Sequence, residues 1–222
     1  MRYLARACAL TAATIATLLA AVPREVNAHP HVFVDGGVDF VLAENSTLQA
    51  LEVTWIFDAF ETLYILAAAG HAPTASGDLD AAARRDLTWQ LGAWLGDFSG
   101  SAHLSVDGEQ TALDDPVNLN LDLTDGRLQL TFTRRLASPQ DIGARKVEVA
   151  FYEATYFYAF SATKPPIFRG DGGPCSARVN RFNPDTQLAA LQSTLFDLSR
   201  EETPEMTDVG ALFADRIVVK CE

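Results

Sequence analysis

The sequence predicts an α+β fold: a mostly antiparallel β-sheet or sandwich with an inserted two-helix block and a late helix. Three observations predict it. Short runs in which apolar and polar residues alternate recur on both sides of the chain's middle, the period of a half-buried strand. Between them, over about residues 59–98, the apolar positions change to helical spacing. Pairs such as Asp107-Gly108 and Asp125-Gly126 join later runs in the manner of hairpin turns. Strands that bracket helices in this way give the class.

The first strand spans His31 to Leu42. His29, His31, Phe33 and Asp35 fall on one face of it, Val32 and Val34 on the other. Gly36-Gly37 reads as a bulge or bend. After a turn at Glu44-Asn45-Ser46, Leu48 to Phe57 returns as a second strand with Leu51, Val53, Trp55 and Phe57 inward, completing a hairpin. Asp58 stands where a helix cap belongs, and Glu61 at the third helical position suggests a capping box. Phe60, Leu63, Tyr64 and Ala67 keep helical spacing up to Gly70, a glycine stop. A second helix is expected from about Asp78 to Phe98, with Leu79, Ala83, Leu87, Leu91, Trp94 and Leu95 as its stripe. Strands follow at 102–106, 118–123, 127–136, 145–152, 156–161 and 175–182. Asn183-Pro184-Asp185 opens a helix to about Leu198, and residues 217–221 form a last strand.

Residues 1–28 have the layout of a cleaved secretory signal. Arg2 and Arg6 precede an uncharged apolar run, Ala7–Val22, and a polar stretch that ends Val26-Asn27-Ala28. The run is short of the ~20 residues of a spanning helix, which argues against an uncleaved anchor. The expected mature protein is a single domain, residues 29–222, with the free amine on His29. The full chain has 17 Lys and Arg against 29 Asp and Glu; without the leader's three bases and one acid, 14 remain against 28. A net charge this negative excludes nucleic acid, which binds through cations that displace counterions, and favours cationic partners, metal ions included. Cys8 leaves with the leader. Cys175 and Cys221 then form an even pair, read as a disulfide in an oxidising compartment rather than a two-thiolate metal site.

The candidate site is the new terminus. Two of the chain's four histidines, His29 and His31, fall in its first three residues. Neutral imidazole binds Zn, Ni and Co, and the α-amine, with a pKa of about 7.7–8, yields its proton to a metal. A square-planar site through the backbone nitrogen of the second residue is excluded, because Pro30 has no N–H. The remaining ligands are two imidazoles, the amine and a carboxylate from elsewhere. Asp58, Glu61 and Glu153 are the candidates; the plainer roles are a helix cap for Asp58 and a hydrogen-bonded or exposed strand residue for Glu153. His71 and His103 read as bystanders; Asp35 shares a face with His31 and reads equally as a solvated charge. There is no nucleophile elbow, phosphate loop or zinc-protease helix, so the expectation is a non-enzyme. An aromatic run from Phe151 to Phe160 reads as packing. A copper-dependent oxidase using an N-terminal histidine is a weaker alternative, since nothing marks a substrate surface.

The segments His29-Pro30-His31-Val32-Phe33-Val34-Asp35, Thr54-Trp55-Ile56-Phe57-Asp58, Tyr152-Glu153-Ala154-Thr155-Tyr156-Phe157 and Phe213-Ala214-Asp215 to Cys221 occur in this order. In them the chain resembles the bacterial periplasmic family DUF1007, also labelled the periplasmic component of an uncharacterised ABC-type transport system. The resemblance implies export to the periplasm and association with nickel/cobalt-type transporters. It implies no reaction. The expected function is therefore a periplasmic accessory protein that binds a divalent transition metal and assists a membrane metal transporter or permease. The alternative is a metal-independent module that docks on a membrane transport complex. Many relatives carry an EF-hand-like loop between the two helices. In the 72–83 loop here, ligand positions one, three and twelve are Ala72, Thr74 and Ala83, so no calcium is expected there.

Overall fold

The computed structural model describes residues 31–93, 100–170, 173–185 and 208–221. The leader, His29, the stretch Trp94–Phe98 and most of the expected late helix lie outside them; only its opening residues Asn183, Pro184 and Asp185 are described.

Two sheets face each other. The first contains β1 (Val32–Ala43), β2 (Thr47–Phe57), β5 (Val117–Thr124), β6 (Arg127–Asp141) and β8 (Tyr158–Ala162), in the order β5-β6-β2-β1-β8, with the short β9 (Phe168–Arg169) also on β1. The second contains β3 (Ala102–Val106), β4 (Glu109–Gln110), β7 (Val147–Phe151), β10 (Cys175–Asn180) and β11 (Asp215–Cys221), in the order β10-β11-β7-β3-β4. The pairings are antiparallel except for β8 and β9, which run parallel to β1. The α+β class and sandwich expected from the sequence are thus what the chain adopts.

The alternation that predicted the strands also forms the core. Val34, Val38, Phe40, Leu51, Val53, Leu130 and Phe132 from the first sheet meet Leu104, Val147, Val149, Phe151 and Ile217 from the second in one hydrophobic cluster. The helices α1 (Ala59–Ala68) and α2 (Ala81–Leu91) contribute Leu66, Ala83 and Leu87 to the same cluster, beside Leu121 and Leu128. Arg84 fastens α2 to β5 through the Leu121 carbonyl (2.6 Å) and an ion pair with Asp122. The turn at Asp125-Gly126 has positive φ at both residues (52° and 73°), as a type I′ hairpin requires.

Several expectations change in detail. Gly36-Gly37 is not a bulge: the β1–β2 register runs through it unbroken and shifts instead between Val41 and Leu42. A Cβ on Gly36 would collide with the Thr54 carbonyl oxygen, so these glycines serve close backbone approach. The second helix starts after Asp80, whose carboxylate accepts the Ala82 and Ala83 N–H groups (2.8 Å each), and not at Asp78. Tyr156 sits in a turn at φ +61°, and β8 begins two residues later. The aromatic run is only partly core. Phe151 and Phe160 are buried with ring centroids 5.0 Å apart, while Phe157 remains exposed.

A buried carboxylate holds the 164–169 segment to β1. Asp39, 1 % exposed, accepts from Lys164 Nζ (2.8 Å), Arg169 Nη2 (3.1 Å) and the Ile167 N–H (3.1 Å). At the β10 edge of the second sheet, Cys175 and Cys221 face each other across β10 and β11 and form the expected disulfide.

Candidate functional site

Three strand ends meet where the mature terminus would emerge. The His31 and Val32 N–H groups both donate to the Phe157 carbonyl (3.0 and 3.2 Å), which aligns the start of β1 with the start of β8. The end of β2 lies alongside, with Val34 opposite Phe57, and the Asp58 N–H donates to the Phe33 carbonyl (3.1 Å). His31, Asp58, Glu61 and Glu153 all belong to this end of the first sheet. His29 lies outside the described residues.

Each of these side chains has a local reason for its place. Asp58 has the extended backbone of a helix cap, and its Oδ1 accepts the Glu61 N–H at 2.8 Å. The capping box is only half made, because Phe33 takes the Asp58 N–H that the Glu61 side chain would have accepted. The Glu153 carboxylate accepts from the Thr155 N–H (2.8 Å), the Thr155 hydroxyl (2.8 Å) and the Phe157 N–H (3.0 Å). It builds the turn that delivers Phe157 to His31. The His31 and Phe157 rings lie against each other, centroids 5.0 Å apart.

The electrostatics of this corner are acidic. Partial burial, and then the neighbouring Asp58 charge, hold the Glu61 carboxyl above its ordinary range. The Tyr158 phenol is pushed up by burial and further by both Glu61 and Glu153, so the two carboxylates act on the same ring. Among the described residues neither Asp58 nor Glu61 has a Lys, Arg or His partner. Asp35, by contrast, is neutralised by Arg127 (2.9 Å), which also holds the Ile56 and Phe57 carbonyls. Asp35 is therefore an ion-pair partner rather than a solvated charge.

The residues share one end of the sheet without sharing one point. By the alternation of β1, exposed His31 and Phe33 lie on the outer face, while Val32 and its neighbour Tyr158 lie on the inner side, toward Glu61. Among the described residues no three of His, Cys, Asp and Glu converge to hold a metal ion. A metal at this corner would need His29, with His31 and a carboxylate turned to it. Asp58 Oδ2 and the Glu61 carboxylate are oxygen donors of the right chemistry. The other two histidines are engaged elsewhere. His71 Nε2 meets Asp86 at 2.8 Å, and His103 stacks on Tyr152 (3.9 Å) with Nε2 3.2 Å from the Tyr152 carbonyl. In the 72–83 loop, Thr74, Ser76 and Asp78 bond to one another.

Tyr158 and the Phe157 carbonyl have no local sequence signal for a role here. Their position follows from the parallel pairing of β8 with β1, between segments more than a hundred residues apart.

The chain matches, over residues 14–221, the family described as "Protein of unknown function (DUF1007)". It is also similar to an uncharacterised protein of Haemophilus influenzae, with 24 % identity over 204 residues that cover 89 % of this chain and 93 % of the relative. The match takes in His31 and β1 and runs to the final cysteine. The chain therefore belongs to the DUF1007 family.

Proposed function

We propose that this is an exported, periplasmic accessory protein, not an enzyme, that binds a divalent transition ion (Zn, Ni or Co) at its processed terminus. It assists a membrane metal transporter or permease by holding or passing on that ion. One observation carries the reading: Asp58 and Glu61 lie beside the first strand as neighbouring carboxylates with no cationic partner among the described residues, at the sheet end from which His31 leads back to His29. Two like charges kept together favour a cation between or beside them. His29 would supply its imidazole and amine, His31 a second imidazole, and Asp58 or Glu61 an oxygen. Glu153 is committed to its turn and would act through charge. The Ala, Thr and Ala at ligand positions of the 72–83 loop argue against calcium there.

The test is intact-mass spectrometry of the protein exported on its own signal, followed by calorimetric titration with Zn2+, Ni2+ and Co2+. A mass starting at His29 and near-stoichiometric uptake, lost in His29→Ala/His31→Ala, is expected. Full affinity in that double variant would sink the reading. A second reading, the metal-independent docking module, is favoured by the apolar surface of α1.

A further inference from the structure

Helix α1 meets the protein through Leu66, Ile65 and Thr62 and presents its other large apolar side chains to solvent. Thr62 is 1 % exposed, and its hydroxyl oxygen accepts the Leu128 N–H at 3.0 Å. Phe60, Leu63 and Tyr64 are 78, 65 and 62 % exposed. Leu66 and Thr62 are the helix's buried residues. A helix shaped by folding alone turns its large apolar side chains inward. Here the fold uses Thr62, Leu66 and the half-buried Ile65 and leaves three large side chains in water. Phe33, 57 % exposed, lies at the same end, since its carbonyl holds the Asp58 N–H. The exposed apolar area is on the order of several hundred Å², the size at which a surface patch marks an interaction.

The charge around this face selects its occupant. The charged groups at α1 are Asp58 at the cap and Glu61 in the first turn; the last turn has no base. A second copy of a chain with net charge −12 would set like charges against each other, and an anionic bilayer would be repelled in the same way. Positions 60, 63, 64 and 67 form the i, i+3, i+4, i+7 ridge that one helix offers another, and Ala67 and Ala68 are small and exposed, allowing close approach.

We propose that Phe60, Leu63 and Tyr64, bounded by Asp58 and Glu61, form a docking face for an apolar helix of a partner protein whose end carries Lys or Arg. The apolar row of the partner lies along α1, and its basic end lies at the α1 N-terminus. The inference does not require His29, His31 or a bound metal.

The probe is a fluorescently labelled Leu/Ala helical peptide with paired Lys at each end, titrated by anisotropy into the full exported chain. A Glu-flanked twin serves as the comparison. Saturable binding of the Lys peptide is expected, weakened by added salt. Phe60→Gln/Leu63→Gln lowers affinity by ~10-fold or more with an unchanged melting temperature. Asp58→Asn/Glu61→Gln, which keeps a capping side chain, weakens binding and reduces its salt dependence. Equal binding of the two peptides, or indifference to Phe60→Gln/Leu63→Gln, overturns the proposal. So does self-association or vesicle binding abolished by that variant, which would assign the face to a second copy or a bilayer. A large fall in its melting temperature would assign the face to the chain's own packing. Peptide binding that persists when His29→Ala/His31→Ala has lost metal separates this proposal from the metal reading.

Discussion

Asp58→Asn and Asp58→Ala separate two jobs held by one carboxylate. Oδ1 caps α1 through the Glu61 N–H at 2.8 Å, and the charge acts on Glu61 and on any bound cation. Alanine removes both. Losing a cap of this kind costs ~1 kcal/mol, within a range of about 0.5–2. Asparagine keeps the accepting oxygen, so its cost as a cap is a few tenths of a kcal/mol at most. It also removes the like charge that, after burial, holds the Glu61 carboxyl up, which favours the folded state slightly at neutral pH. Urea denaturation should therefore place Asp58→Ala ~1 kcal/mol below the parent and Asp58→Asn level with it. For a domain of this size that is about 2–4 °C in melting temperature. Metal titration should weaken in both variants. An Asp58→Asn variant as unstable as Asp58→Ala would refute the capping argument. One with parental metal affinity would remove Asp58 from the metal reading while leaving the cap intact.

Other parts of the structure make further predictions. Asp39→Ala should destabilise by ~2–3 kcal/mol in urea melts: breaking a buried pair costs about 3–5, but Lys164 and Arg169 both reach water and Arg169 keeps Glu52. A loss under ~0.5 kcal/mol would mean that Asp39 does not hold the 164–169 segment. Cys175→Ser/Cys221→Ser opens a bridge of sequence separation 46 and should cost ~3–4 kcal/mol by loop-closure entropy. The same loss should appear in the parent protein on reduction. Burial holds the His103 imidazole below its ordinary value of 6.5, so the folded state binds fewer protons than the unfolded one. Its contribution is present above pH 6.5 and is lost as pH falls from there through the folded-state value; thermal melts of His103→Phe across that window should lack this slope. Glu61 has the opposite sign. Stability should be fullest below its ordinary value of 4.5 and decline as pH rises through the folded-state value, and Glu61→Gln should flatten that decline in the same melts.

The sequence by itself determined the elements and much of the core. Leu51, Val53, Trp55 and Phe57 alternate, and the same residues are buried in β2. Asp125-Gly126 and Asp107-Gly108 turn where local backbone chemistry requires, and Asp58 caps the helix it precedes. These features depend on contacts between near neighbours, which the order of residues encodes directly. The cysteine pair was legible because an even pair of thiols, once the leader cysteine is set aside, has one way to join.

Tertiary structure decided what lies between distant segments. The parallel placement of β8 beside β1 puts the Phe157 carbonyl and Tyr158 at the candidate site, and no local period announces it. The shape of Gly36 against Thr54 turned an expected bulge into a close approach. Asp35 and Asp39 share one parity of the same strand, and nothing local to them tells the two apart. The fold gave Asp35 an arginine from β6, and it buried Asp39 under the segment that follows β8. The helical spacing of Phe60, Leu63 and Tyr64 was plain in the chain, but period alone cannot say which face of a helix meets the core. The Leu128 N–H, which needs a partner and finds the Thr62 hydroxyl, turned Thr62 inward and left the aromatic face outside.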